Sequence, residues 1–70
     1  MSDELTRRQI EIVRLAGLKN AEIAKRMGTS PHTVRNQISA INYKLGTYDK
    51  TGIAVECVRR GIVSLDEFEW

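Results

Sequence analysis

The stretch Ile23-Ala24-Lys25-Arg26-Met27-Gly28-Thr29-Ser30-Pro31-His32-Thr33-Val34-Arg35-Asn36-Gln37-Ile38 decides the fold. Its first five residues close a short helix: Ile23, Ala24 and Met27 lie on one apolar face, and Gly28 supplies the left-handed conformation that ends it. Ser30 is an N-cap and Pro31 takes the first helical position, where its missing N–H is no loss. Val34, Ile38, Ile41 and Leu45 then follow at spacings of four, three and four, an apolar stripe that Gly46 terminates. Two helices are thus joined by Gly28-Thr29-Ser30, the short glycine-containing turn of a helix-turn-helix. In that motif the second helix, here about 22 Å long by its rise per residue, enters the DNA major groove.

With the core stripe removed, the outward face of this helix holds His32, Arg35, Asn36, Ser39, Asn42 and Tyr43, flanked by Gln37 and Lys44. Arginine can bond guanine O6 and N7 in pairs, asparagine adenine N6 and N7, and a serine lets the helix approach closely. Arg35, Asn36 and Ser39 are therefore the expected base readers. Thr33, Gln37 and Lys44 are better placed for phosphates, as are Lys19 and the free N–H groups that open the preceding helix at Asn20. His32 is either solvated or phosphate-facing. No acid occurs from Gly28 to Thr47, so nothing there repels a phosphate backbone. The competing reading of the same residues is an ordinary solvated helix face.

Outward from this core motif, Thr6-Arg7-Arg8-Gln9 is a capping box. It starts a first helix with Ile10, Ile12, Val13 and Ala16 inward, Leu5 as a staple on Ile10, and Gly17 as its stop. Asn20 is the expected N-cap of the second helix. A fourth helix starts at Asp49–Thr51, carries Ile53, Ala54, Cys57 and Val58 as its stripe and ends at Gly61, after which Ile62 and Val63 fold back. The expected fold is all-α, with helices at about 7–16, 21–27, 31–45 and 51–60 in a domain covering 1–63, then an acidic-aromatic tail, 64–70.

Composition restricts the alternatives. Seventy residues form one small domain with a thin core. One cysteine, Cys57, forbids an internal disulfide, and its place on an apolar stripe suits a buried small hydrophobe better than a redox sensor. One cysteine and one histidine cannot build a zinc site, and neither a phosphate-binding glycine loop nor a paired-carboxylate site is present. No cofactor, metal or enzymatic activity is expected. No apolar run approaches the roughly 18 residues of a membrane span, and the acidic start Met1-Ser2-Asp3-Glu4 argues against a signal peptide; a cytoplasmic setting fits. Residues 1–63 hold all 11 Lys and Arg against six acids, a net of +5, while residues 64–70 add three acids. A basic body suggests an anionic partner. For the tail three readings stand: Leu65, Phe68 and Trp70 dock on the core, they form a hook for a protein partner, or the acids shield the basic face.

The ordered set of motifs resembles the LuxR/GerE-type DNA-binding domain over about residues 5–63. Leu5-Thr6-Arg7-Arg8-Gln9-Ile10-Glu11-Ile12-Val13 is similar to its opening and Asn20-Ala21-Glu22-Ile23-Ala24 to its second helix. Ser30-Pro31-His32-Thr33-Val34-Arg35-Asn36 with Lys44-Leu45-Gly46 resembles its recognition helix. Asp49-Lys50-Thr51 and Gly61-Ile62 resemble the start and end of its fourth. The resemblance implies a four-helix domain that binds DNA as a dimer. Arg35 would reach bases or phosphates with the positions of Asn36 and Ser39, and Ile53, Ala54, Cys57 and Val58 of the fourth helix would make the homodimer contact. Four departures touch this pattern: a shorter segment before Gly17, Lys19 for a small capping residue, Gln37 for a common histidine and Ala40 for a frequent asparagine. The expectation is a small stand-alone transcription regulator that binds double-stranded DNA sequence-specifically. The alternatives are a protein-interaction module that engages RNA polymerase or a second regulator through the helical face or the tail, and a domain akin to region four of a sigma factor.

Overall fold

The computed structural model describes residues 5–69. Within them run α1 (Arg7–Arg14), α2 (Asn20–Met27), α3 (Pro31–Leu45) and α4 (Lys50–Arg59), followed by one 3-10 turn at Leu65–Glu67. Helices of eight or ten residues are marginal alone in water, so packing must hold them. The long α3 supplies it: α3 packs on each of the other three, and α1 also packs on α4.

The core is built from the predicted stripes. Ile12 and Val13 of α1, Ile23 and Ala24 of α2, Val34, Ile41 and Leu45 of α3, and Ile53 and Cys57 of α4 are all buried. Ile38 is partly buried against them. Full burial of an aliphatic side chain contributes about 1.5–3 kcal/mol, so each stripe has enough weight to fix which face of its helix turns inward.

Helix ends follow local chemistry. Thr6 Oγ1 accepts from Gln9 N and Gln9 Oε1 accepts from Thr6 N, each at 3.0 Å, completing the capping box. Asp49 Oδ1 accepts from Gly52 N at 2.8 Å, capping α4. Gly28 closes α2 at φ 68°, and Thr29 N donates back to Ala24 O at 2.9 Å. This is the six-to-one bond of a Schellman ending.

Two helix ends depart from expectation. Helix α1 stops at Arg14 rather than near residue 16, and Gly17 is not its left-handed cap. The chain tightens into successive three-residue turns, Leu15 N to Ile12 O and Ala16 N to Val13 O. The carbonyl of Arg14 is taken instead by Glu69 N at 2.8 Å, so the far end of the chain replaces the next helical turn. The N-cap of α2 is Lys19, which makes no side-chain cap bond, and Asn20 lies inside the helix. Asn20 Oδ1 accepts from Lys50 Nζ at 3.0 Å, and that ammonium also donates to Leu18 O at 2.6 Å. The amide is thereby held toward α4 and cannot turn back to cap.

The chain after α4 belongs to the packed body. Val63 and Phe68 are buried with the helices. Glu67 pairs with Arg14 at 3.5 Å, and Glu69 pairs with Arg26 of α2. Of the three readings of the tail, docking describes Phe68, whereas Leu65 stays exposed. Trp70 lies outside the described residues. Phe68 is turned inward rather than offered to a partner, and Glu67 and Glu69 pair with α1 and α2, not α3.

Candidate nucleic-acid interface

The turn between α2 and α3 is held from both sides. On the α2 side it has the Gly28 ending. On the α3 side, Ser30 Oγ accepts from Thr33 N at 3.1 Å and donates to Thr33 Oγ1 at the same distance. Pro31 occupies the first turn. The direction of α3 relative to α2 is therefore set by hydrogen bonds at the joint as well as by the buried stripe.

Beyond that joint, His32, Arg35, Asn36, Ser39, Ala40 and Tyr43 are all exposed. His32, Asn36, Ser39 and Tyr43 succeed one another at helical spacing directly opposite Val34 and Ile41, and Arg35 borders this row. Tyr43 is 91% exposed, an aromatic ring standing in solvent at the far end of the row. Among the described residues, Arg35, Asn36 and Ser39 make no side-chain hydrogen bond or ion pair, so their donors and acceptors are available to a ligand.

The residues expected at phosphates divide into two groups. Lys19, His32 and Thr33 are exposed on the α2–α3 side. Asn20, Gln37 and Lys44 are committed inside the chain: Asn20 to Lys50, and the other two to Gln9. Gln37 Oε1 accepts from Gln9 Nε2 at 3.1 Å, and Lys44 Nζ donates to Gln9 Oε1 at 2.9 Å. Gln37 and Lys44 sit on the flank of α3 that faces α1. The capping-box motif revealed Gln9 as a helix start, but its second role needed the packing of α1 on α3 to be known.

The four residues expected at a dimer contact also divide, and two require correction. Ile53 and Cys57 are 1% and 0% exposed and belong to the core of this chain. They sit one turn apart on the inner line of α4, so a partner cannot reach them. Burial also pushes the Cys57 thiol above its ordinary pKa, which leaves it protonated and inert. Ala54 and Val58, one position further round the helix, line an open apolar groove of about 340 Å³ together with Val55, Leu65, Phe68 and Ala16. Val55 is exposed beside them and falls outside the stripe read at helical spacing, so that stripe does not reveal it.

Several other cations are engaged. Arg26 bonds Glu22 and Glu69; Arg59 and Arg60 bond Glu56; Arg8 Nη2 donates to Met27 O at 3.2 Å. Against that background an acid-free α3 with an unengaged Arg35 is the face suited to a polyanion.

Sequence comparison agrees with this geometry. Residues 3–57 match the family described as bacterial regulatory proteins, luxR family. The chain belongs to this family. Among its relatives, it is 39% identical over 61 residues to the transcriptional regulatory protein LnrK of Bacillus subtilis, covering 84% of this chain and 28% of LnrK. It is 31% identical over 65 residues to YxjL of Bacillus subtilis, an uncharacterized transcriptional regulatory protein, covering 90% of this chain and 30% of that protein. The chain thus spans less than a third of either relative. No solved structure matches it significantly. The luxR family is one of transcription regulators, and the described residues include no helix long and apolar enough to cross a membrane.

Proposed function

We propose that this luxR-type domain binds double-stranded DNA sequence-specifically, laying α3 in the major groove, and so regulates transcription. The observation that carries this reading is the outward row of α3: exposed, acid-free, carrying Arg35, Asn36 and Ser39 with no internal partners, and aimed by a doubly capped turn. Arg35 and Asn36 are the base readers and Ser39 permits close approach. Lys19, His32 and Thr33 meet phosphates on either side of the turn, helped by the N-terminal dipole of α2. Such a role places the protein with the chromosome, in the cytoplasm.

DNA binding as a homodimer completes the reading. The contact is the outer side of α4, with Ala54, Val55 and Val58 meeting the same residues of a second copy across the apolar groove. Two recognition helices then read half-sites about one helical turn, some 34 Å, apart. Selection from a random duplex library tests both parts. An enriched half-site repeated at that spacing is the expected product, and Val55→Glu should reduce the selected element to a single half-site. A library that yields no enriched sequence at low salt would sink the proposal.

A further inference from the structure

Gln9 stands apart from the rest of the interior. Among the described residues it is the one buried polar side chain, 5% exposed. An amide in an apolar junction costs free energy unless its donors and acceptors are bonded. Gln9 meets that demand through three contacts on two helices. Its Oε1 accepts from Thr6 N at 3.0 Å and from Lys44 Nζ at 2.9 Å, and its Nε2 donates to Gln37 Oε1 at 3.1 Å. One end of the amide is thus tied to the first residue boundary of α1. The other contacts reach two side chains of α3 that lie two turns apart.

The apolar contacts around it are of a different kind. Val34, Ile41 and Leu45 fix which face of α3 is inward, but dispersion is non-directional and tolerates small sliding or rolling of one helix on another. A step of one residue along α3 is about 1.5 Å, enough to break either bond to Gln9. Directional bonds at two points along α3 hold both its height and its roll against α1. The outward row of α3 is rigidly related to Gln37 and Lys44, so the same bonds hold Arg35, Asn36 and Ser39 in register.

We propose that Gln9 is the positioning residue of the recognition helix: it touches no DNA, and it sets the register in which α3 presents its outward row. This rests on the DNA-binding reading given above and adds a residue on another helix to the determinants of specificity. The buried amide is retained for orientation rather than stability, a use of buried polar groups known in other helical interfaces.

The test measures affinity for the duplex selected by the natural sequence and for a random-sequence duplex of equal length, by fluorescence anisotropy. Their ratio is the readout, because a loss of folded protein lowers both affinities together and leaves it unchanged. Gln9→Met keeps the volume and removes the amide; its ratio should fall about fivefold or more. The amide NMR signals of α3 in the free protein should shift with it. Gln9→Glu keeps both acceptor roles and can accept from a rotated Gln37 amide, so it should restore the ratio. Gln37→Met removes one of the two bonds from Gln9 to α3 and leaves the capping box and the Lys44 bond whole, so it tests the proposal even where Gln9→Met does not fold. An unchanged ratio in Gln37→Met or in folded Gln9→Met overturns the proposal, as does a Gln9→Glu ratio as low as that of Gln9→Met. If the natural sequence itself prefers no duplex, it is the DNA-binding reading that fails.

Discussion

The outward row of α3 and the opposite end of the molecule, where α1, α2 and the C-terminal segment meet, are both rich in polar side chains, yet they use them in opposite ways. At the C-terminal end charges close on one another: Glu67 on Arg14, and Glu69 and Glu22 on Arg26. On α3 there is no acid, and Arg35, Asn36 and Ser39 are left open. A net charge of +2 for the whole chain hides this division. Polar groups that satisfy each other hold a fold together, and groups left unsatisfied at a surface are available for recognition.

The largest effect expected from this contrast is on stability, at the closed end. Phe68 is buried beside the helices although it lies beyond the 3–57 span of the family match. Phe68→Ala should cost about 3–5 kcal/mol, a large part of the stability of a domain this small. Chemical denaturation measures it directly. A loss below about 1 kcal/mol would mean that the segment after Val63 merely rests on the surface.

Next comes the open face. Arg35→Ala should weaken binding to a selected site by about 1–3 kcal/mol and relax preference at one base pair. Arg26→Ala, which removes another exposed cation, one already committed to Glu22 and Glu69, should leave affinity almost unchanged. Equal losses from the two, in anisotropy titrations at one salt concentration, would show that overall charge and not the α3 row drives binding.

Ser30→Ala acts where the two regions are joined. It deletes the acceptor for Thr33 N and the bond to Thr33 Oγ1, and should lower stability by about 0.5–2 kcal/mol. If the cap also aims α3, specific affinity should drop beyond what the folded fraction explains. A thermal shift with unaltered DNA affinity would confine Ser30 to stability.

Much of this division was legible in the sequence, for identifiable reasons. Ser30-Pro31 and Gly28 act over a few residues, so the joint and the length of α3 follow from local chemistry. The core stripe of α3 leaves its outward row by subtraction. Other features depend on long-range packing that no local pattern encodes. Helix α1 ends early because Glu69, 55 positions after Arg14, takes the Arg14 carbonyl. Asn20 does not cap because Lys50 holds its amide. Ile53 and Cys57 share a stripe with Ala54 and Val58, and spacing alone could not say which pair faces the core and which the groove. Gln37 and Lys44 lie beside the outward face by helical spacing, and only the position of α1 turns them toward Gln9.

The smallest effect belongs to the C-terminal half of α4, where Glu56 bonds Arg59 and Arg60 at 2.5 and 2.7 Å. These guanidiniums hold its carboxyl at about 2, against an ordinary 4.5, with the bonds to Arg59 the leading cause and those to Arg60 next. A carboxyl with a depressed folded-state pKa stabilises fully above its unfolded value and progressively less as pH falls toward the folded one. The gap in melting temperature between the natural sequence and Glu56→Gln should therefore be present at pH 7, shrink from about pH 4.5 downward and vanish only below pH 2. Because the pair lies at the surface, with Arg59 largely exposed, the gap should be small and should also shrink with added salt. A gap that persists well below pH 2, where the carboxyl is protonated, would assign its origin to helix packing. Glu56 would then work by shape, like the apolar core, and not as one of the paired charges that contrast with the open row of α3.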